Sequence, residues 1–393
     1  MERDFYYDEN MRGLDWKALG DQYGRLIEGA SCRQDLTFVV GELISELGTS
    51  HTYVYGGAGH HEAERVSVGV LGADFELDRS SNRFRIQKIY RVPEWTRGIE
   101  PPLARAGVDV HEGDYILAVN GVPVSGDHDV YAAFQGLGGA QVELEVGPNA
   151  SGTDSRIVRT EALRSDYRLR YLDWVEHNRQ VVDRLSGGTV GYIHLPDTYL
   201  GSAQIFPAQY YGQTQKKGLV IDGRFNGGGL DPYNLLERLA RKPLSYWTRR
   251  NSHDQVTPWM LTRAHMVMIT DRHAGSGGDE LPMEFRELGL GPIVGTRTWG
   301  GLVGVSMFIR MVDGGMLTCP DYRIYTPDGK WIVENEGVQP DVEVWLDPVR
   351  MAAGHDDQLE KAVEIVTEAI RKDPRPWPQH PPIPSREQDV PKK

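Results

Sequence analysis

Two short apolar segments in the second half of the chain run directly into clusters of glycine. GLVID at 218–222 is followed by GRFNGGG, and MVMIT at 266–270 is followed by DRHAGSGGD. Continuous apolar runs of this length are typical of buried strands in a parallel sheet. Helical patterns alternate with them, so the sequence predicts an α/β core over residues 166–372. Its other predicted elements are strands at Val190–Leu195 and Ile293–Gly295 and helices at Tyr233–Leu239, Asp279–Leu288 and Gln358–Arg371.

Ser276 lies in the second glycine cluster, between a predicted strand and the helix that follows it. A serine at such a turn exposes its hydroxyl, and the N–H groups at the start of the helix stabilise developing negative charge. Glycines on both sides allow a carbonyl group to approach. Ser276 is therefore a candidate nucleophile, and the alternative is that it only caps the helix.

The first glycine cluster, residues 222–229, offers backbone N–H groups without side chains that would block them. Such a loop can form an oxyanion hole, which binds the negatively charged oxygen of an acyl-transfer intermediate. An ordinary turn explains the same composition. The sequence alone leaves both interpretations open.

A nucleophilic serine needs a base, and the chain contains twelve histidines. His51 is favoured because it follows a predicted helix end, adjoins the hydroxyl of Ser50 and lies in an otherwise apolar stretch. An ordinary packed or surface histidine remains the alternative. His273 is nearer to Ser276 in sequence, but we expect it to point away from the serine hydroxyl. No HExxH or similar spacing occurs, so no metal site or cofactor is predicted.

The middle of the chain, residues 65–165, consists of short β-like runs. Val66–Val70, Phe84–Ile89 and Val142–Val146 are predicted strands, and the last alternates apolar with polar residues. PLARAGVDVHEGDYILAVNGVPV at 102–124 resembles the central signature of a PDZ domain. It predicts a short helix ending near Gly107, a strand at Tyr115–Val119 and a hairpin turn at Asn120-Gly121.

The two ends of the chain differ from this middle region. Residues 1–64 are predicted to be mainly helical, with one apolar face formed by Trp16, Leu19, Tyr23 and Ile27, and a second helix at Leu36–Leu47. Residues 373–393 form a proline-rich tail, which we expect to be extended or disordered.

Composition excludes several classes of function. The net charge of −13 argues against nucleic acid as a partner. The two cysteines, Cys32 and Cys319, cannot form a disulfide framework, so buried free thiols in a reducing compartment are expected. The N-terminus lacks the apolar run of a signal peptide, and no window is long enough to span a membrane. These features predict a cytoplasmic protein with no membrane partner.

Several segments, in one order, resemble the C-terminal catalytic half of the tricorn protease family. They are RDFYYDENMRGLDWK (3–17), GTSHTYV (48–54), the PDZ-like region, IDGRFNGGG (221–229), AGSGGD (274–279), GTRTWGGLVG (295–304) and VENEGVQPDVEV (333–344). The implied fold is multidomain α+β: a small helical N-terminal segment, a PDZ-like β-rich domain and an α/β, ClpP/crotonase-like catalytic core.

The resemblance implies a Ser-His-Ser-Glu tetrad. Ser276 would attack a peptide carbonyl, and His51 would take its proton and pass it to the leaving amine. Ser50 would hydrogen-bond the imidazole, and Glu334 would hold Ser50 and favour the imidazolium. The family also implies peptide substrates from upstream protein degradation and a homo-oligomer, a hexamer.

An oxyanion hole follows from the same resemblance, with N–H donors from Gly277 and from the 227–229 loop, of which Gly228 is preferred. Three departures qualify it. The family's characterised form has an aspartate where this chain has Gly277. The acidic residue that selects basic side chains falls at Trp247, which predicts a more apolar preference, although Asp254 lies nearby. The family's N-terminal β-propellers are absent, and Met1 falls inside its first helix, which suggests a trimmed chain.

Two other functions remain open. A carboxyl-terminal processing peptidase would share the PDZ domain and the core, but its Ser-Lys dyad needs a lysine about 25 residues beyond the serine. Here no lysine occurs between Ser276 and Lys330. A non-catalytic PDZ scaffold, gripping peptide termini by strand addition, is the rival from another class.

Overall fold

The structure is a computed structural model that describes Phe5, Thr96 and residues 10–58, 65–93 and 98–382. The chain divides into two compact units. The first comprises Met1–Val181 and Gly301–Asn335, and the second comprises Val182–Gly300 and Glu336–Lys393. Parts of the predicted N-terminal segment (1–4, 6–9 and 59–64), including the start at Met1, lie outside the described residues. So does the end of the tail, 383–393.

The first unit begins with a helical region. Helix α1 spans Trp16–Gly24 and α2 spans Arg33–Ser45, with short 3-10 segments at Met11–Gly13 and Arg25–Gly29. The Asp15 carboxylate caps α1 by accepting a hydrogen bond from the Ala18 N–H. The predicted apolar face of α1 is only half-buried, and Ile27 falls in the 3-10 segment with 46% of its surface exposed. The expectation that Ile27 continues this helical face is therefore wrong.

A small antiparallel sheet follows in the same unit. It pairs β1 (Val54–Tyr55) with β16 (Met316–Cys319), which pairs in turn with β15 (Met307–Arg310). Beneath it lies a cluster of buried residues comprising Phe5, Met11, Leu47 and Cys319. A separate two-stranded pair joins β14 (Val303–Gly304) to β17 (Tyr322–Arg323). Cys319 is buried as expected, but Cys32 is exposed at the start of α2, so the prediction of two buried thiols is wrong for Cys32.

The PDZ-like region forms a six-stranded antiparallel sheet. Its strands are β2 (Ala73–Asp78), β3 (Arg83–Ile89), β4 (Tyr115–Val119), β5 (Val122–Pro123), β6 (Gln141–Gly147) and β7 (Arg156–Glu161). The spatial order is β2-β3-β4-β6-β7, with β5 paired to β4. The predicted alternation in β6 is observed, because Val142, Leu144 and Val146 are buried between partly exposed glutamates.

Turn chemistry explains where this sheet matches the sequence patterns and where it does not. Asn120 and Gly121 both have positive φ, at 48° and 78°, as their hairpin requires. Gly107 has φ +85°, but residues 102–107 form turns and not the predicted helix. Val66–Val70 makes only isolated bridges through Val68 and Val70, because that segment pairs with two different partners, Gln135 and Leu163.

The long helix α3 spans Tyr167–Leu185 and crosses the boundary between the two units. Its first turns are fixed to the PDZ-like sheet within the first unit. Arg170 donates to Asp74 at 2.7 Å and lies 4.5 Å from the centre of the Tyr90 ring. Lys88 pairs with Asp173 at 2.6 Å. Several partly exposed contacts of this kind hold the helix start in one orientation.

The second unit is built on five parallel strands in the order β18-β13-β12-β9-β8. They are β8 (Val190–His194), β9 (Gly218–Asp222), β12 (His265–Thr270), β13 (Ile293–Gly295) and β18 (Val342–Glu343). The helices are α4 (Leu200–Tyr211), α5 (Pro232–Leu239), α6 (Gly277–Glu287), α7 (Pro348–Ala352) and α8 (Asp357–Lys372). A separate hairpin joins β10 (Ser245–Trp247) to β11 (Gln255–Thr257).

These elements confirm the predicted mixed α/β fold class. All residues of β8 and β9 are buried, as expected for strands covered on both faces. Helix α8 buries its apolar face against β9 and β12, and the Asp356 carboxylate caps its first turn. The domain boundaries at residues 64, 165 and 372 remain predictions, since the two units follow a different division of the chain.

Candidate active site

In the first unit, Ser50 and His51 lie in the connection between α2 and β1. His51 has φ +59°, a left-handed conformation that is uncommon for residues other than glycine. The Thr318 hydroxyl donates to the His51 carbonyl at 2.6 Å and accepts from the Tyr53 N–H at 2.7 Å. Strand β16 thus holds the backbone of His51 through Thr318.

The imidazole of His51 is the end of a hydrogen-bonded relay. Ser50 Oγ lies 2.9 Å from His51 Nδ1 and donates to Glu334 Oε2, also at 2.9 Å. Since the Ser50 proton is directed to the carboxylate, we assign the His51 proton to Nδ1, which leaves Nε2 as the proton-accepting nitrogen. The three sequence candidates of the first unit are therefore brought together.

Glu334 is buried, with 4% of its surface exposed, and four donors among the described residues hydrogen-bond its carboxylate. Oε1 accepts from the Thr49 hydroxyl at 3.1 Å and the Ser50 N–H at 2.7 Å. Oε2 accepts from the Ser50 hydroxyl and, at 2.7 Å, from the Leu302 N–H. A buried carboxylate is stable only with such donors, so this one is built into the fold.

The residues around Glu334 carry backbone strain. Val333 has φ +71° and Asn335 has φ +66°, and positive φ is unfavourable for a β-branched residue such as valine. The Asn335 side chain donates to the Gly48 carbonyl at 2.9 Å. Strain of this kind persists where surrounding contacts compensate for it and often marks functional positions.

The pKa of His51 is lowered by burial, while the negative charge of Glu334 acts in the opposite direction. A lowered pKa keeps the imidazole neutral at pH 7. A neutral imidazole oriented by a carboxylate through a hydroxyl has the chemistry of a general base.

In the second unit, Ser276 stands at the N-terminus of α6. It has φ +58° and ψ −122°, and its side chain makes no capping hydrogen bond. The interpretation of Ser276 as only a helix cap is therefore wrong. Asp271 Oδ1 shapes the preceding turn by accepting from the N–H groups of Phe225, His273 and Ala274. A strained serine between a strand and a helix is typical of nucleophiles.

The glycine loop lies against the Ser276 turn. Gly228 has φ +82°, and a Cβ added there would lie 2.7 Å from Ser276 Cβ, so only glycine fits. Asn226 holds the loop: its Nδ2 donates to the Leu195 carbonyl, and its Oδ1 accepts from the Gly228 N–H at 2.9 Å. The predicted oxyanion donor Gly228 thus already makes a hydrogen bond, and Gly277 begins α6 beside it.

A buried ion network beneath this loop was not predicted from the sequence. Arg224 is 1% exposed and contacts Asp222, at 2.7 Å, and Asp356 at the start of α8, also at 2.7 Å. The Tyr192 hydroxyl donates to Asp222 as well. Arginine and aspartate are rarely buried unless they are paired. The sequence gives no sign that Arg224 pairs with Asp356, because the two residues lie more than 130 positions apart. The network ties the glycine loop to β9 and α8.

The specificity candidate Trp247 lies on β10 and is 61% exposed. Its indole N–H donates to Thr257 Oγ1 across the hairpin at 2.8 Å. Asp254, the nearby acid, contacts His380 Nε2 at 2.6 Å. The carboxylate of Asp254 is thus engaged by the tail of the chain.

His273, the rival base, is exposed and stacks on Phe225 with the ring centres 5.4 Å apart.

Among the described residues, no group of three or more His, Cys, Asp or Glu side chains is arranged to hold a metal ion. Within the same ranges, every helix is too short or too polar to cross a lipid bilayer.

Comparison with protein families gives three matches in chain order. The Tricorn protease C1 domain matches residues 1–45, the Tricorn protease PDZ domain matches 69–165, and Peptidase family S41 matches 189–344. The chain is therefore of the class that joins a PDZ domain to an S41 peptidase domain.

Comparison with individual proteins shows which family within this class the chain resembles. The chain is 36% identical over 377 residues to tricorn protease homolog 1 of Streptomyces coelicolor, covering 96% of this chain and 35% of that protein. It is 32% identical over 381 residues to the tricorn protease of Thermoplasma acidophilum, covering 97% and 35%. The crystal structure of the tricorn protease matches with a TM-score of 0.86 and 30% identity, covering 94% of this chain and 36% of that one. The chain belongs to the tricorn protease family and spans about a third of the length of these relatives.

Proposed function

We propose that this chain is a serine peptidase that hydrolyses peptides through Ser276, His51, Ser50 and Glu334. Ser276 Oγ attacks the carbonyl carbon while His51 Nε2 takes its proton, and the proton then passes to the leaving amine. Glu334, acting through Ser50, stabilises the imidazolium formed in between. The observation that carries the proposal is the hydrogen-bonded relay from the buried Glu334 through the half-buried Ser50 to His51 Nδ1, which supports the role of His51 as a base.

The oxyanion hole proposed for this reaction uses the Gly277 N–H and an N–H of the 227–229 loop. If Gly228 is that second donor, its N–H must leave Asn226 Oδ1 when the intermediate forms. Loss of one oxyanion donor typically lowers the rate by roughly 100- to 1000-fold.

The substrates we propose are peptides from upstream protein degradation, and the assembly a homo-oligomer, a hexamer, in the cytoplasm. We further propose that the preference at the residue before the cleaved bond is apolar and not basic. Trp247 presents an indole in place of an acid, and the carboxylate of Asp254 is engaged by His380. Size-exclusion chromatography with light scattering tests the assembly, and cleavage of a peptide library tests the preference.

Covalent labelling with a fluorophosphonate probe tests the catalytic assignment. We expect labelling of wild-type protein at Ser276, and its loss in Ser276→Ala and in His51→Ala. His273→Ala is the matched control, since that histidine adjoins the same turn but is stacked on Phe225. Undiminished labelling in His51→Ala would contradict the assignment of the base. No labelling of folded wild-type protein would favour a non-catalytic peptide-binding module.

A further inference from the structure

Thr198 contacts the proposed oxyanion hole from the side of the β8–α4 connection. It is 1% exposed. Its N–H donates to the Gly228 carbonyl at 2.9 Å, and its carbonyl accepts from the Asp231 N–H at 3.2 Å. Both of its backbone groups are therefore bonded to the glycine loop or to the residue that caps α5, which fixes the position of its side chain.

The Thr198 hydroxyl lies between the two backbone segments that form the hole. A Cβ added at Gly277 would come within 2.2 Å of Thr198 Oγ1, and one added at Gly229 within 2.8 Å. With Thr198 in place, a side chain at Gly277 would collide with the hydroxyl.

Thr198 Oγ1 is fully buried, and within the described part of the chain it has no hydrogen-bond partner. Most buried hydroxyls in folded proteins are paired, because leaving one unpaired costs stability. A threonine kept for packing alone would be better replaced by valine, which has the same shape and no polar atom. An unpaired hydroxyl beside the N-terminus of α6 therefore indicates a partner that is present only during the reaction.

We propose that Thr198 Oγ1 is a further donor of the oxyanion hole, an inference that rests on the function proposed above. When Ser276 Oγ bonds to the carbonyl carbon, the electron pair of the C=O double bond moves to the oxygen. The Thr198 hydroxyl then donates a hydrogen bond to this oxygen beside the Gly277 N–H and keeps its own proton. As the C–N bond breaks, the C=O bond re-forms and the amine leaves with the proton carried by His51.

Thr198→Val and Thr198→Ser test this role in the full chain. Valine removes the donor with little change in shape, whereas serine keeps it. We expect Thr198→Val to lower kcat by roughly 10- to 100-fold with KM within about twofold, because the donor acts on the transition state. Thr198→Ser should keep kcat within about threefold. A peptide aldehyde, which forms a tetrahedral adduct with the serine, should bind Thr198→Val more weakly by the same factor as the loss in kcat.

Thermal unfolding separates catalysis from packing. Since valine removes an unpaired buried hydroxyl, Thr198→Val should unfold at the wild-type temperature or above it. A folded Thr198→Val with wild-type kcat and wild-type aldehyde affinity would overturn the proposal. If the valine variant does not fold, Thr198→Ala replaces it, and full kcat in that variant has the same meaning. Wild-type protein no more active than Ser276→Ala would instead refute the proposed function as a whole.

Discussion

At the scale of single residues, the histidine–serine–glutamate relay has one unusual part, the hydroxyl of Ser50. The Ser50 hydroxyl stands between Glu334 and the imidazole, so the carboxylate does not touch His51 directly. It acts on His51 through the hydrogen bonds of Ser50 and through its negative charge. Burial lowers the pKa of His51, and Glu334 partly offsets that effect. The two influences act in opposite directions and can be separated by mutation.

Glu334→Gln keeps the shape of the side chain and removes its charge. Without that charge the imidazolium is less stable, so the pKa of His51 falls further and kcat/KM falls by about 100- to 10,000-fold. His51 acts as a base only when neutral, so activity is lost below its pKa. We therefore expect the acidic limb of the pH profile of kcat/KM to move to lower pH. The exposed neighbour Glu336→Gln is the control. A limb that stays in place or moves upward would contradict this account of Glu334.

At the scale of helices and strands, apolar periodicity predicted most of the second unit. β9 has the predicted bounds, β13 begins at Ile293 as predicted, and the predicted final helix corresponds to α8. Helix α4 was missed because it contains Pro207 and a run of aromatic residues, which conceal its period. The roles of Ser50 and Glu334 came from motif resemblance, which also strengthened the prediction of His51 made from its position after a helix end. The Leu302 N–H on Glu334 and the Thr198 hydroxyl could not be predicted, since they depend on contacts between segments distant in sequence.

Helix α6 contains Glu284, a glutamate whose ionisation makes the folded chain less stable as the pH rises. Burial, together with the negative charges of Glu280 and Asp231, raises the pKa of Glu284 to about 7. The folded chain therefore binds more protons than the unfolded chain between pH 4.5 and 7, so this group makes stability fall as pH rises through that interval. The Glu284 side chain is only half-buried, which limits the effect.

Glu284→Gln should remove this dependence. We expect its Tm to exceed that of wild type by about 1–3 °C at pH 8.5 and to match it near pH 4.5, where both side chains are neutral in the fold. Glu287→Gln, on the exposed side of the same helix, is the control and should show no such difference between the two pH values. If Glu284→Gln stabilised the protein more at acid pH than at alkaline pH, the proposed direction of the pH dependence of Glu284 would be wrong.

At the scale of the whole molecule, the proline-rich tail is part of the second unit. The part of the tail that the structure describes, residues 373–382, forms no helix or strand, and Trp377 and His380 contact the region of the β10–β11 hairpin. Trp377 makes an edge contact with Tyr246, with the ring centres 5.4 Å apart. Arg263 lies against both rings and donates to the Pro376 carbonyl at 2.9 Å. The hairpin that carries Trp247 is thus braced by residues that follow the last helix.

Removal of this brace should loosen the hairpin and leave the parallel sheet intact. A chain ending at Asp373 loses both the Trp377 contact and the His380–Asp254 pair. Exposed arginines, Arg249 and Arg250, lie in the connection between β10 and β11 and provide trypsin sites. We expect trypsin to cut there several-fold faster in the shortened chain, since cleavage follows the local opening of the backbone.

A second truncation, after Pro382, distinguishes the contacts from the mere length of the tail. It keeps Trp377 and His380, so cleavage at Arg249 and Arg250 should proceed at the wild-type rate. The indole of Trp247 depends on its bond to Thr257 across the same hairpin. Loosening should therefore also broaden the preference for apolar residues in a peptide library, while Ser276 is still labelled by a fluorophosphonate. Equal cleavage rates in all three chains would show that the hairpin holds its shape without the tail, and any selectivity at Trp247 would then have to come from the hairpin alone.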